Sequence, residues 1–311
     1  MKLVFSYRPR VEEYRFSPVV CPPHYVLKWG VGCPHNCLYC YMRAYGRVPG
    51  VLKLAPYPEL RRCLEKFYRK CSSSLREVML NAGELADSLA AESLDPPLSH
   101  FLAKTVHELN VEYGVEYRLL FVTKSTVIEK LLKLNDRCRE VVVVSYSLNA
   151  PEVARLYERA APSPQDRVCA LKSLAKRGFE VRVRLDPVIP VPGWERYYGD
   201  FLHWFLSYVD ELKRVTVGTL RATPRVVAAI RRGLYEDSSW MKYLRKWEGW
   251  GLVVDPEERF RIYSLIIDIV RSYGVEYALC KETLDMWRRL GLYPGTRDSN
   301  WSNVRCNCTY S

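Results

Sequence analysis

The sequence predicts an α/β fold, a partial (β/α)6 barrel followed by a C-terminal helical cap, and three observations carry that expectation. Six short apolar runs alternate with six stretches of helical periodicity. The runs are apolar at consecutive positions, as in Val141-Val142-Val143-Val144, the pattern of strands buried on both faces of a parallel sheet. No repeat, low-complexity tract or Gly/Ser linker interrupts residues 20 to 280. Right-handed crossovers wind such units into an open or partial barrel, with its chemistry on loops at the C-terminal strand ends. The same six units also fit a doubly wound sheet.

Strands are expected at 25–31, 77–81, 117–122, 140–145, 180–185 and 214–217, each a short β-rich run. Helices are expected at 58–70, 99–113, 125–134, 164–178, 195–209 and 224–232. Several open on Ser or Pro, residues suited to a helix start. Residues 1–235 thus read as the barrel with an N-terminal extension. From 236 to 311 the pattern loosens into Trp-rich segments, a helix at 256–273, a short helix at 282–290 and a polar tail, which we read as an appended cap.

The chain has 311 residues, 48% hydrophobic and 26% charged, a composition that excludes a disordered or fibrous protein. Lys and Arg number 47 against 35 Asp and Glu, a net charge of +12. Such a field attracts polyanions, nucleic acid foremost, although a basic surface also serves solubility alone. The N-terminus has no signal-peptide pattern and no segment approaches the roughly 20 apolar residues of a membrane helix, so a soluble, cytoplasmic protein is expected. Eleven cysteines in a reducing compartment point to metal or catalysis rather than to disulfides.

Three of them lie directly after the first expected strand, in Gly32-Cys33-Pro34-His35-Asn36-Cys37-Leu38-Tyr39-Cys40-Tyr41. A structural zinc site wants four protein ligands, commonly as two separated pairs, and no second C-x-x-C or H-x-x-x-H occurs. A [4Fe–4S] cluster can be held by three cysteines with its fourth iron left open. His35, between two of the cysteines, is expected to support the loop or face solvent rather than to ligate.

This C-x-x-x-C-x-x-C loop, with an aromatic before its third cysteine, resembles the cluster loop of the radical S-adenosylmethionine superfamily. The resemblance implies a TIM-like partial barrel, a [4Fe–4S] cluster on Cys33, Cys37 and Cys40, and S-adenosylmethionine bound at the open iron and cleaved to a radical that abstracts hydrogen. It also implies an electron donor such as ferredoxin or flavodoxin. Asn81-Ala82-Gly83-Glu84 resembles the superfamily's Gly-Gly-Glu segment, which contacts the amino group of S-adenosylmethionine; Gly83 lets backbone approach and Glu84 accepts from an ammonium. Lys124, Ser145, Ser147, Asn149 and Arg184, at or near later strand ends, are candidates for its carboxylate and ribose. Ser125 and Asn149 equally suit the N-caps of following helices, whereas Lys124 and Arg184 do not suit a cap.

Ser147-Leu148-Asn149, Glu158-Arg159-Ala160-Ala161-Pro162-Ser163-Pro164, Asp166-Arg167 and Arg184-Leu185-Asp186-Pro187-Val188-Ile189 narrow the resemblance to the spore photoproduct lyase branch, over about residues 18 to 220. That branch implies DNA or another nucleic acid as substrate. It also implies a hydrogen-transfer role for Tyr39 and Tyr41, which could otherwise pack over the cluster and exclude water. The lyases carry a hydrogen-donating cysteine just after the second strand, where this chain has Ala82-Gly83-Glu84, and the ends of the chain differ from theirs. Radical modification of a peptide or small molecule, and a nucleic-acid-binding protein with structural metal, are the competing readings.

Cys280, Cys306 and Cys308 stand near the end of the chain and could hold a second iron–sulfur cluster or a metal ion, with Cys21 or a substrate as fourth ligand; equally, they could be plain thiols. Cys63, Cys71, Cys138 and Cys169 fall on or beside expected helices as small apolar residues.

Overall fold

The computed structural model describes residues 1–48 and 50–310. Its central sheet contains seven parallel strands, His24–Lys28, Glu77–Asn81, Glu116–Thr123, Val142–Ser147, Glu180–Val188, Leu212–Thr219 and Glu276–Leu279, lying side by side in chain order. Unbroken chain order is the winding of a β/α barrel; a doubly wound sheet reverses partway. Arg10–Tyr14 adds antiparallel to His24–Lys28 at one edge, Glu276–Leu279 forms the other, and the two edges do not pair among the described residues. The barrel is therefore partial.

All six expected strands form, with one change at the first. Gly30–Val31 leaves the main sheet and pairs with Val51–Leu54, which also pairs with Lys2–Phe5. The approach is close enough that a Cβ on Gly30 would lie 2.7 Å from the Lys53 carbonyl oxygen. The seventh strand, Glu276–Leu279, was not expected, because Glu-Tyr-Ala-Leu is short and only weakly apolar. It follows Pro256–Ser272, so part of the region beyond 235 continues the β/α winding. Arg221–Ala222, Lys246–Glu248 and Gly251–Val253 make a small separate sheet.

Helices Tyr57–Cys71, Leu98–Tyr113, Pro164–Lys176, Trp194–Tyr208, Pro224–Arg231 and Pro256–Ser272 lie where expected. Ser163 and Thr223 cap two of them, accepting from the backbone N–H of Asp166 at 3.1 Å and Val226 at 3.4 Å. The helix expected over 125–134 does not form. Ser125 Oγ accepts from the Val127 N–H at 3.1 Å in a local turn, and Thr126, Val127 and Ile128 are β-branched. A 3-10 turn at Leu131–Lys133 and a short helix, Asp136–Glu140, take its place, the latter capped by Asn135 accepting from the Cys138 N–H at 2.9 Å. A further short helix, Pro151–Tyr157, follows the fourth parallel strand, with Ala150 rather than Asn149 at its N-cap.

The two faces of the sheet differ. Val142, Val144, Tyr146, Val181, Val183, Leu185, Val215 and Val217 join the helices in the main core. The alternate positions Met79, Leu120 and Val143 form a separate small cluster on the concave face, joined by Cys308. The same face carries Ser145, Arg182 and Arg214, each fully buried. Their partners lie in the C-terminal tail. Arg182 donates to the carbonyls of Asn307 at 2.9 Å and Thr309 at 2.7 Å, and Arg214 to that of Cys306 at 3.1 Å. Asn307 Nδ2 donates to Ser145 Oγ at 2.6 Å, and its Oδ1 accepts from Thr216 Oγ1 at 2.8 Å. The tail thus fills the barrel interior, satisfying polar groups that would be costly if left buried and unpaired. Among the described residues no helix is long and apolar enough to cross a membrane.

Candidate active site

The cysteine loop leaves the first parallel strand at the C-terminal end of the sheet and is pinned on three sides. Asn36 turns it with a backbone φ of 47°, a conformation Asn tolerates better than most residues. Its side-chain oxygen accepts from Arg43 at 2.8 Å and Arg47 at 3.2 Å, and Arg47 also donates to the Cys33 carbonyl at 2.9 Å. Toward the second strand's exit, the Gly32 N–H donates to the Leu85 carbonyl at 3.0 Å, His35 Nε2 to Asp87 Oδ2 at 3.1 Å, and the Tyr41 hydroxyl to the Glu84 carbonyl. From the C-terminal region, the Tyr235 hydroxyl donates to the Cys40 carbonyl at 2.9 Å.

His35 is therefore buried on Asp87, and the expectation that it might face solvent is corrected. Asp87 also accepts from Thr123 Oγ1 at 2.8 Å, the Lys124 N–H at 2.8 Å and the Leu89 N–H at 3.0 Å. Burial alone would raise its carboxyl, but His35 and these donors outweigh it and hold the pKa below its ordinary value. The ligating atoms of Cys33, His35 and Asp87 lie within 4.8 Å of one another. Burial pushes the Cys37 thiol up to about 12 and the Cys33 thiol well above its ordinary value. Ligation needs thiolates, so a bound metal centre would have to supply the stabilisation that this dry loop does not.

Beneath the loop lies a carboxylate that sequence reasoning did not single out as functional. Glu158 is fully buried, pairs with Arg167 Nη2 at 2.6 Å and Lys124 Nζ at 3.8 Å, and accepts from the Tyr39 hydroxyl and from Asn149 Nδ2 at 3.3 Å. Burial raises its carboxyl; Lys124, Arg167 and the Tyr39 hydrogen bond outweigh that and bring it to about 2. The Leu38 N–H donates to the Tyr157 carbonyl at 2.8 Å, so this floor is tied to the loop by backbone as well. The one signal in the sequence was its place in the Glu158-Arg159 motif, which marks the residue without saying that it is buried.

The remaining expected residues divide into two groups. Gly83 packs so closely under the third strand that a Cβ would lie 2.6 Å from Val122 Cβ. The buried Oε2 of Glu84 lies 3.7 Å from Lys28 Nζ, an ion-pair distance, and accepts no hydrogen bond among the described residues. Glu84, Tyr41, Tyr39 and Lys124 thus gather around the cysteine loop, although Tyr39 points down to Glu158 and Tyr41 outward to Glu84. Asn149 caps no helix; the Tyr198 hydroxyl donates to its Oδ1. Ser147 is buried, and its carbonyl accepts from Arg167 at 3.1 Å. Ser145 and Arg184 are engaged by the tail, Ser145 with Asn307 and Arg184 Nη2 with Cys308 Sγ at 3.3 Å.

Comparisons with known proteins agree with this architecture. The family model described as spore photoproduct lyase matches residues 12–221. The spore photoproduct lyase of Clostridium acetobutylicum is 24% identical over 194 residues, covering 58% of this chain and 52% of that protein. The spore photoproduct lyase of a Geobacillus species is 26% identical over 203 residues, covering 63% and 54%. The chain therefore spans about half the length of these curated relatives. Among solved structures, spore photoproduct lyase complexed with dinucleoside spore photoproduct superimposes with a TM-score of 0.71 at 19% identity, covering 89% of this chain and 82% of that one. A mutant of the lyase with bound AdoMet and dinucleoside spore photoproduct gives a TM-score of 0.68 at 18% identity, covering 86% and 78%. These structures share the partial-barrel fold, and the match of the family model over most of the barrel establishes that this chain belongs to the spore photoproduct lyase family.

Proposed function

We propose that this protein is a radical S-adenosylmethionine enzyme acting on a lesion in a nucleic acid. The observation that carries the reading is Glu84, whose buried Oε2 accepts no hydrogen bond among the described residues and lies 3.7 Å from Lys28 Nζ, beside a loop of three thiols at the C-terminal end of a parallel barrel. A carboxylate oxygen in that state suits the ammonium of an amino acid, and three thiols without a fourth suit a cluster with one open iron. When bound there, a [4Fe–4S] cluster on Cys33, Cys37 and Cys40 supplies the electron that cleaves S-adenosylmethionine.

The chain's own residues do the positioning. Glu84 would hold the ammonium, and the absence of a side chain on Gly83 keeps that segment tight against the third strand. Lys124, on the rim between Glu158 and Cys37, places a cation where a substrate carboxylate would lie. Tyr39 fixes the loop to Glu158, while Tyr41, half-exposed, is placed to meet a substrate at the mouth and to take part in hydrogen transfer.

A nucleic-acid substrate is supported by the +12 charge and by solved relatives described with dinucleoside spore photoproduct. Ala82, in the stretch where the lyases carry their donor thiol, is buried, and its carbonyl accepts from Trp29 Nε1 at 2.6 Å. Turnover of the spore photoproduct itself would need its hydrogen from elsewhere in the chain, so the test covers several lesions. The reducing electron would come from a cytoplasmic ferredoxin or flavodoxin.

Anaerobically reconstituted, reduced protein should release 5′-deoxyadenosine, and oligonucleotides carrying thymine photoproducts should raise the rate, with binding that weakens steeply as salt rises. Glu84→Gln should raise the KM for S-adenosylmethionine about 10- to 100-fold, the loss of one charge-assisted hydrogen bond worth ~1.5–3 kcal/mol. Absence of 5′-deoxyadenosine, together with a reduced-cluster resonance that S-adenosylmethionine leaves unchanged, would overturn the radical chemistry. Salt-independent turnover without nucleic acid would overturn the substrate class.

A further inference from the structure

We infer that Cys21, Cys280, Cys306 and Cys308 form a second iron–sulfur site, a four-thiolate pocket for a [4Fe–4S] cluster beside the barrel mouth. The four come from three remote parts of the chain. Val20 bridges Glu282 antiparallel, its N–H donating to the Glu282 carbonyl at 2.7 Å, which brings Cys21 alongside Cys280. Cys280 follows the seventh strand directly and is held by its N–H on the Val217 carbonyl at 2.7 Å. Cys306 and Cys308 arrive on the tail, fixed on either side of Asn307, whose side chain and N–H are bonded to three interior strands. The thiol of Cys21 senses the charges of Cys280 and Cys308, and that of Cys306 senses Cys21 and Cys308.

The surroundings suit a cluster more than a single ion. A tetrahedral zinc with Zn–S bonds of about 2.3 Å needs sulfurs about 3.8 Å apart. Among the described residues the one set of three potential ligand atoms within 4.8 Å is Cys33, His35 and Asp87, so no three of these four sulfurs are that close. The first cysteine loop shares this wider spacing. Two guanidiniums reach the sulfurs: Arg184 Nη2 lies 3.3 Å from Cys308 Sγ, and Arg221 Nη2 lies 3.8 Å from Cys280 Sγ. Arg221 is paired with Asp186 at 2.8 Å, but Arg184 Nε is buried with no hydrogen-bond partner among the described residues. An anionic four-thiolate cluster would use these cations, since N–H donors to cluster sulfur are a usual means of stabilising it.

This inference does not depend on the proposed radical chemistry, and its test separates the two. The full chain carrying Cys33→Ala, Cys37→Ala and Cys40→Ala together is purified without oxygen and reconstituted with ferrous iron and sulfide. It should keep about four iron and four sulfide per chain and a visible thiolate-to-iron absorption band. Adding Cys306→Ser and Cys308→Ser should remove them. In the unaltered protein, about eight iron per chain and two reduced-cluster resonances are expected. A triple variant that stays folded by circular dichroism yet holds neither iron nor sulfide overturns the site, as does one zinc per chain without sulfide. Should the serine changes unfold the chain, the triple variant's iron content decides alone.

Discussion

Cys33, Cys37 and Cys40 lie on one short loop, whereas the inferred second site draws Cys21, Cys280, Cys306 and Cys308 from segments that only the folded barrel brings near one another. The first set rests on ties to the exits of neighbouring strands: Gly32 to Leu85, His35 to Asp87, Leu38 to Tyr157 and Tyr39 to Glu158. The second rests on a plug of tail backbone inside the barrel, held by Arg182, Arg214, Thr216 and Ser145. A local loop needs only its turn and its neighbours. A composite site needs the sheet in register before its ligands from separate segments approach. The first should therefore survive damage to the tail, and the second should not.

The largest effect should come from the local site. Cys37→Ala should lower 5′-deoxyadenosine formation by more than about 10³-fold, because ligands of one centre act as a unit; product quantified by liquid chromatography checks it. Next comes Arg167→Met under the loop, which leaves Glu158 charged without its closest cation and should cost about 3–5 kcal/mol in a urea titration of the apoprotein. The pH dependence follows from the same carboxyl, whose pKa falls from 4.5 to about 2 in the folded chain. A group depressed in this way contributes its full stability above about pH 4.5 and loses it as pH falls toward 2. Glu158→Gln should remove that portion of the acid transition.

Asn307→Ala tests the composite site. It breaks the side-chain bonds to Ser145, Val183 and Thr216 and should destabilise the tail by about 2–3 kcal/mol, read as faster proteolysis near the C-terminus. Iron lost from this variant should come from the tail cysteines alone. Loss from both sets would mean that the two are not independent. The smallest effect is expected from Tyr235→Phe, which removes one hydrogen bond to the Cys40 carbonyl and should cost about 1 kcal/mol with the cysteine loop otherwise intact.

Much of the fold was legible because its signals are local. Apolar runs such as Val141 to Val144 mark buried parallel strands whatever surrounds them, and Ser163 and Thr223 cap helices through neighbours three residues away. Where the local signal was weak, the reading failed. The helix expected over 125–134 lost to β-branching and a serine turn, and the strand Glu276–Leu279 was hidden by its brevity. The cysteine loop was legible for the same local reason, since its spacing is a property of one turn of chain. Glu158 was not, because a glutamate at the end of a short helix looks exposed until Arg167 and Lys124 are folded around it.

The sequence by itself determined the β/α alternation and the thiol loop at the first strand's exit, because periodicity and short spacing act within a few residues. Tertiary structure alone decided that the barrel interior carries buried arginines beside a small apolar cluster, that the tail fills it, and that Ser145 and Arg184 face that tail. It also decided that the segment holding Cys21 lies alongside the one holding Cys280, through the bridge between Val20 and Glu282. These features depend on which strand lies beside which, and a partial barrel settles that only when its parallel strands have closed around the tail.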